Sequence, residues 1–140
     1  MKSFFFLFFF FAALNVQAKE PRTIYFENNQ IRITQQIEEC HDEANGTHRQ
    51  YIFLQFENLT DKSIAVSFKK ELWYNEQCTT CEKNSAEHLM NISLAPKETK
   101  VGNCEKRETA YSVFSKMLDK TTNSALTKFE LKNIQVNVIK

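Results

Sequence analysis

Apolar and polar residues alternate along most of this chain, and a period of two fits one regular element, a strand with one buried face. Ile31, Ile33 and Ile37 alternate with Arg32, Thr34, Gln36 and Glu38. Between Gln50 and Asn58, Ile52, Leu54 and Phe56 share a face. Between Lys62 and Asn75, Ile64, Val66, Phe68, Leu72 and Tyr74 do the same, with Trp73 opposite, and Met90, Ile92 and Leu94 form a further set. The last run changes phase. Phe129 and Leu131 lie on one parity and Ile134, Val136 and Val138 on the other, which predicts a bulge near Lys132 and Asn133. The expected core comprises Ile33, Ile52, Leu54, Phe56, Val66, Phe68, Ile92, Leu131, Val136 and Val138.

Turn-forming residues separate these runs: Asn28-Asn29, Asn45-Gly46, Asn58 to Asp61, Pro96, Gly102-Asn103 and Thr121 to Ser124. Many short strands at this spacing predict a mainly β fold, an antiparallel β-sandwich of about 7-8 strands with an immunoglobulin-like layer architecture. One segment fits two patterns. Ala110, Val113, Phe114, Met117 and Leu118 have helical spacing, whereas Tyr111, Val113 and Met117 fit a strand that turns Phe114 to its other side, so a short helix near 109–119 competes with a strand.

At the N-terminus, Lys2 precedes an eleven-residue apolar run from Phe4 to Leu14, and Val16-Gln17-Ala18 supplies the small residues of a cleavage site. The run falls short of the roughly 20 apolar residues that span a bilayer. Residues 1–18 therefore read as a signal peptide and 19–140 as a single β-sandwich domain, with a secreted or periplasmic destination. Removing residues 1–18 takes Lys2 away and leaves 17 basic against 17 acidic side chains. A balanced charge gives no long-range attraction to polyphosphate or anionic lipid, so no nucleic acid partner is expected. No later apolar stretch is long enough to be a membrane span in the mature chain.

Motifs for catalysis are missing. There is no GxSxG, HExxH or Walker pattern, and two glycines are too few for the usual phosphate-cradling loop. The acidic pairs Glu38-Glu39 and Asp42-Glu43 read as a solvated rim at a strand end rather than as an acid–base pair. Trp73 and Tyr74 offer a platform for a sugar ring, against a bland alternative in which at least one belongs to the core. Sequons occur at Asn45, Asn58 and Asn91.

The four cysteines carry the strongest signal, because an exported chain with an even number of them is expected to pair them. Counting antiparallel strands up and down brings Cys40, Cys78, Cys81 and Cys104 to one pole, together with His41, His48 and His88. Two disulfides follow, either Cys78 with Cys81 and Cys40 with Cys104, or crossed pairs. The competing use of this pole is a zinc or copper site drawn from Cys40, His41, Cys78, Cys81, His88 and Cys104. The CxxC spacing is a weak zinc signal here, since the other two cysteines are isolated.

The sequence thus points to an exported, non-catalytic binding or interaction module, with no cofactor and an unidentified protein or glycan partner. Two alternatives stand beside it: a metal-binding protein of the envelope or extracellular space, and a small inhibitor of a secreted hydrolase presenting a rigid, cross-linked loop.

Overall fold

The computed structural model describes residues 19–82, 87–119 and 124–140; the expected signal peptide, residues 1–18, lies outside them. Among the described residues nine strands follow one another: β1 (Thr23–Glu27), β2 (Ile31–Asp42), β3 (Thr47–Asn58), β4 (Ile64–Tyr74), β5 (Gln77–Cys78), β6 (Leu89–Leu94), β7 (Thr99–Val101), β8 (Ser112–Met117) and β9 (Leu126–Val138). Every pairing is antiparallel. The described residues contain no helix. The fold is a mainly β sandwich of two sheets.

In the first sheet β1, β2 and β3 lie side by side, and β7 and β8 sit end to end along the outer edge of β3. In the second, β4 is central, with β9 on one edge and β5 and β6 end to end on the other. Each sheet therefore has one edge made of two short strands, which is why nine are present where about 7-8 were expected. The β2–β3 hairpin keeps one register from Ile31 opposite Asn58 to Asp42 opposite Thr47. Its turn is closed by Gly46 at φ 58°, a left-handed conformation that glycine adopts without steric cost, and by the Asp42 carboxylate accepting from the Asn45 backbone and side-chain amides.

Apolar parity places the core between the sheets. Ile31, Ile33, Leu54 and Phe56 of the first sheet meet Ile64, Val66, Phe68, Met90, Ile92, Leu94 and Leu131 of the second, and Phe56 stacks on Phe68 with ring centroids 5.3 Å apart. Burial of each such side chain contributes about 1.5–3 kcal/mol. Three expected core residues depart from this. Ile52 and Val136 are half-buried, and Val138 is 46% exposed where β9 ends against Ile64, the first residue of β4. Phe53 was not expected inside, yet it is fully buried on the face of β3 opposite Leu54.

The predicted bulge is present. Ser67 of β4 faces Gln135, but Lys69 faces Lys132, so β9 carries one extra residue there, and Asn133 absorbs it at φ 54°. Asparagine tolerates that conformation better than most side chains. The competing helix at 109–119 is replaced by β8. The edge of β3 from Arg49 to Phe53 offers backbone hydrogen bonds, and Val113 becomes almost fully buried against it. A helix would leave those groups of β3 without protein partners.

Candidate functional site

Both split edges have the same construction. On the first sheet the chain leaves β3 at Gly102 and rejoins it at Tyr111. Leu54 spans the gap, its carbonyl accepting from the Gly102 amide at 3.3 Å and its amide donating to the Tyr111 carbonyl at 2.9 Å. A Cβ on Gly102 would stand 2.5 Å from the Tyr111 carbonyl oxygen and 3.0 Å from the Phe53 ring, so only glycine fits this approach. The excursion from residue 103 to residue 110 carries Cys104, bonded to Cys40 of β2, and Arg107, which lies over the Tyr51 ring.

On the second sheet the chain leaves β4 after β5 and returns at β6. This excursion holds the Cys78–Cys81 disulfide. It folds back along β4: the Thr79 amide donates to the Leu72 carbonyl, and the Thr80 hydroxyl accepts from the Leu72 amide and donates to the Lys70 carbonyl. Residues 83–86 of it lie outside the described residues.

The two excursions approach one another over Lys70. Glu87 and His88 from one, and Thr109 and Ala110 from the other, border a groove of ≈ 680 Å³ whose other walls are Leu72, Leu89, Met90 and Asn91. Lys70 sits on the apolar parity of β4, two residues beyond Phe68, and is 3% exposed. Its ammonium donates to the carbonyl oxygens of Thr109 and of Ser112, the latter at 3.0 Å. Among the described residues no carboxylate pairs with it, and burial pushes its pKa down to about 8. Four residues further along β4, the Tyr74 hydroxyl donates to the Phe114 carbonyl at 2.7 Å, and burial, followed by the neighbouring Tyr51, raises its pKa. Two polar side chains of β4 thus tie the sheets together where the apolar core ends.

The cysteines pair as Cys40 with Cys104 and Cys78 with Cys81, with Cα atoms 5.4 Å and 5.7 Å apart. The crossed connectivity does not occur. The first bridge lies on β2 of one sheet and the second beside β4 of the other. With all four sulfurs bonded, none is a thiolate that could ligate metal. His88 belongs to the groove, its carbonyl accepting from the Lys70 amide, while His41 and His48 face each other across β2 and β3. Among the described residues no group of three or more His, Cys, Asp and Glu is arranged to hold a metal ion.

The remaining candidates are placed as follows. Glu38 pairs with Lys19 at 3.0 Å, Glu39 lies 3.6 Å from His41, and Asp42 serves the hairpin turn. Trp73 is half-buried with Lys128 4.4 Å from its ring centre, which covers one face of the indole. Asn45 and Asn91 are exposed, but Asn58 is buried, its amide donating to the carbonyls of Lys62 and Ala95 and its oxygen accepting from Thr60.

The chain matches no family model, no curated protein and no solved structure.

Lys70 is the residue that sequence reading passed over. Its signal was present: a lysine on the inward parity of the most regular apolar strand, between Phe68 and Leu72. A charge at such a position needs partners, and the structure supplies backbone carbonyls rather than a carboxylate.

Proposed function

We propose that this protein is an exported, non-catalytic binding module that engages a partner through the Lys70 groove. The observation that carries the reading is the buried ammonium without a carboxylate partner, beneath a groove walled by Leu72, Leu89, Met90 and Ala110. An uncompensated positive charge in a poorly hydrated place favours an anion strongly, and apolar walls favour a chain attached to it. The ligand chemistry is therefore a carboxylate beside an apolar portion, as an acidic segment of a protein partner presents. Leu89, 54% exposed at the groove's edge, adds apolar surface for contact. The secreted or periplasmic location rests on the two disulfides and on the signal-peptide pattern of residues 1–18.

Octanoate and its uncharged analogue octanol, titrated into isotopically labelled protein, test the reading. Octanoate should shift the resonances of Lys70, Leu72, Met90 and Ala110, octanol should shift them far less, and Lys70→Met should abolish the difference. Equal responses to both, or shifts confined to other surfaces, would refute the proposal.

A further inference from the structure

The hairpin tip bears a second arrangement, remote in sequence from the groove and independent of it. His41 of β2 and His48 of β3 are directly paired across the hairpin, and their Nδ1 atoms lie 2.8 Å apart. The rings are tilted by 50° with centroids 5.0 Å apart, so the contact is edge to edge through nitrogen rather than stacking. On the far side of the His41 ring, Glu39 Oε2 stands 3.6 Å from Nε2. At that distance the carboxylate is an ionic neighbour rather than a hydrogen-bond acceptor, and it places negative charge beside the imidazole pair.

We propose that His41 and His48 form a two-imidazole site for a divalent transition metal, copper(II) in preference to zinc. Two nitrogens each about 2.0 Å from a metal and at right angles are about 2.8 Å apart, whereas a tetrahedral angle separates them by about 3.3 Å. The observed separation matches the cis positions of a tetragonal copper(II) centre. Imidazole also follows the general order of divalent affinities, in which copper(II) stands highest. His41 and Glu39 border a groove of ≈ 470 Å³ with Lys19, Glu20, Ile37, Glu38 and Gln50, and His41 is exposed, so its ring is open to solvent. Lys19 is held by Glu38, and the Asp42 carboxylate, at the end of the same strand, faces the positive charges of Arg107 and Arg49. Both disulfides are intact in this arrangement, so the site uses none of the four sulfurs.

The competing account is a plain hydrogen bond between two neutral rings, one Nδ1–H donating to the other Nδ1. Copper(II) titrated into the full-length folded protein in a non-coordinating buffer, read by electron paramagnetic resonance, separates the two. The expected result is one copper per chain with hyperfine coupling to two nitrogens. His41→Ala and His48→Ala should each lose one coupled nitrogen and weaken binding by about tenfold or more, and Glu39→Gln should weaken it while both couplings persist. Both histidines lie at the hairpin tip, outside the core, and a circular-dichroism spectrum confirms folding of each variant. Should a variant misfold, the wild-type ring ¹⁵N resonances under diamagnetic zinc provide the second reading: both Nδ1 signals should move on addition of zinc, at higher concentrations than copper needs. Absence of copper binding, binding that survives both histidine substitutions, or ring resonances indifferent to zinc would overturn the proposal and leave the hydrogen bond.

Discussion

The Lys70 ammonium donates to the Ser112 carbonyl at 3.0 Å, across the sandwich from β4 to β8. Ser112 opens β8 just after the 103–110 excursion rejoins the first sheet, so this bond, together with the one to Thr109, fixes the excursion against the second sheet. One side chain thereby joins the sheets and forms the floor of the groove. Its cost is a desolvated charge with no carboxylate to balance it.

That cost is visible in the pH dependence of stability. The ordinary lysine value is 10.5 and the folded value about 8, so between these limits the unfolded chain holds the proton that the folded chain has lost. Stability should therefore rise as pH increases from 8 to 10.5, and the full penalty, about 3 kcal/mol, is present below pH 8. Chemical denaturation of wild type and Lys70→Met across this range isolates the contribution: the wild type should gain on the variant with rising pH. A constant difference would show that Lys70 titrates normally.

The disulfides should differ in value. Cys40 and Cys104 are separated by 64 residues, and closing that loop stabilises by about 4 kcal/mol in the chain-entropy model, against about 2 for the three-residue separation of Cys78 and Cys81. Cys40→Ser also releases the excursion that carries Cys104. Cys40→Ser should lower the denaturation midpoint clearly more than Cys78→Ser; equal losses would contradict this account.

Gly102→Ala should be costly although it adds one methyl group. The new Cβ would meet the Tyr111 carbonyl, which Leu54 uses as a backbone partner, and relief requires moving β7 or β8 from the edge of β3. A loss of about 1–3 kcal/mol is expected, typical of overpacking. Gly46→Ala, at the open hairpin turn, meets no atom within 4 Å and should cost only the strain of its positive φ.

Asn58 should remain unglycosylated in the folded protein despite its sequon, because its amide is buried and committed to Lys62 and Ala95. Asn58→Ala should destabilise by about 2–4 kcal/mol, since several carbonyl and amide groups lose their partner at once. Mass spectrometry after expression in a glycosylating host should find sugar at Asn45 or Asn91 and none at Asn58.

Much of this was legible in the residues. Ile33, Leu54, Phe56, Val66, Phe68, Ile92 and Leu131 are buried as their parity requires, and the phase change at Asn133 marked a real bulge. Parity reports which face a side chain takes, not whether the opposite sheet extends far enough to cover it; Ile52 and Val138 stand where cover runs out. Phe53, stacked on Tyr51 and close to Gly102, is buried on the face of β3 that parity assigns to polar residues. The β8 segment satisfied helix and strand patterns alike, and the free edge of β3 decided between them. The groove was hidden for the same reason: Glu87, His88, Thr109 and Ala110 come together only because both sheets have split edges.

The most direct test of the central claim is the titration of Lys70 itself, followed through its labelled side-chain amine with and without octanoate. The free protein should titrate near 8, and bound carboxylate should move the midpoint up toward the ordinary lysine range by stabilising the ammonium. A midpoint already near 10.5 would contradict the buried charge, and one that octanoate leaves unmoved would contradict its role in binding.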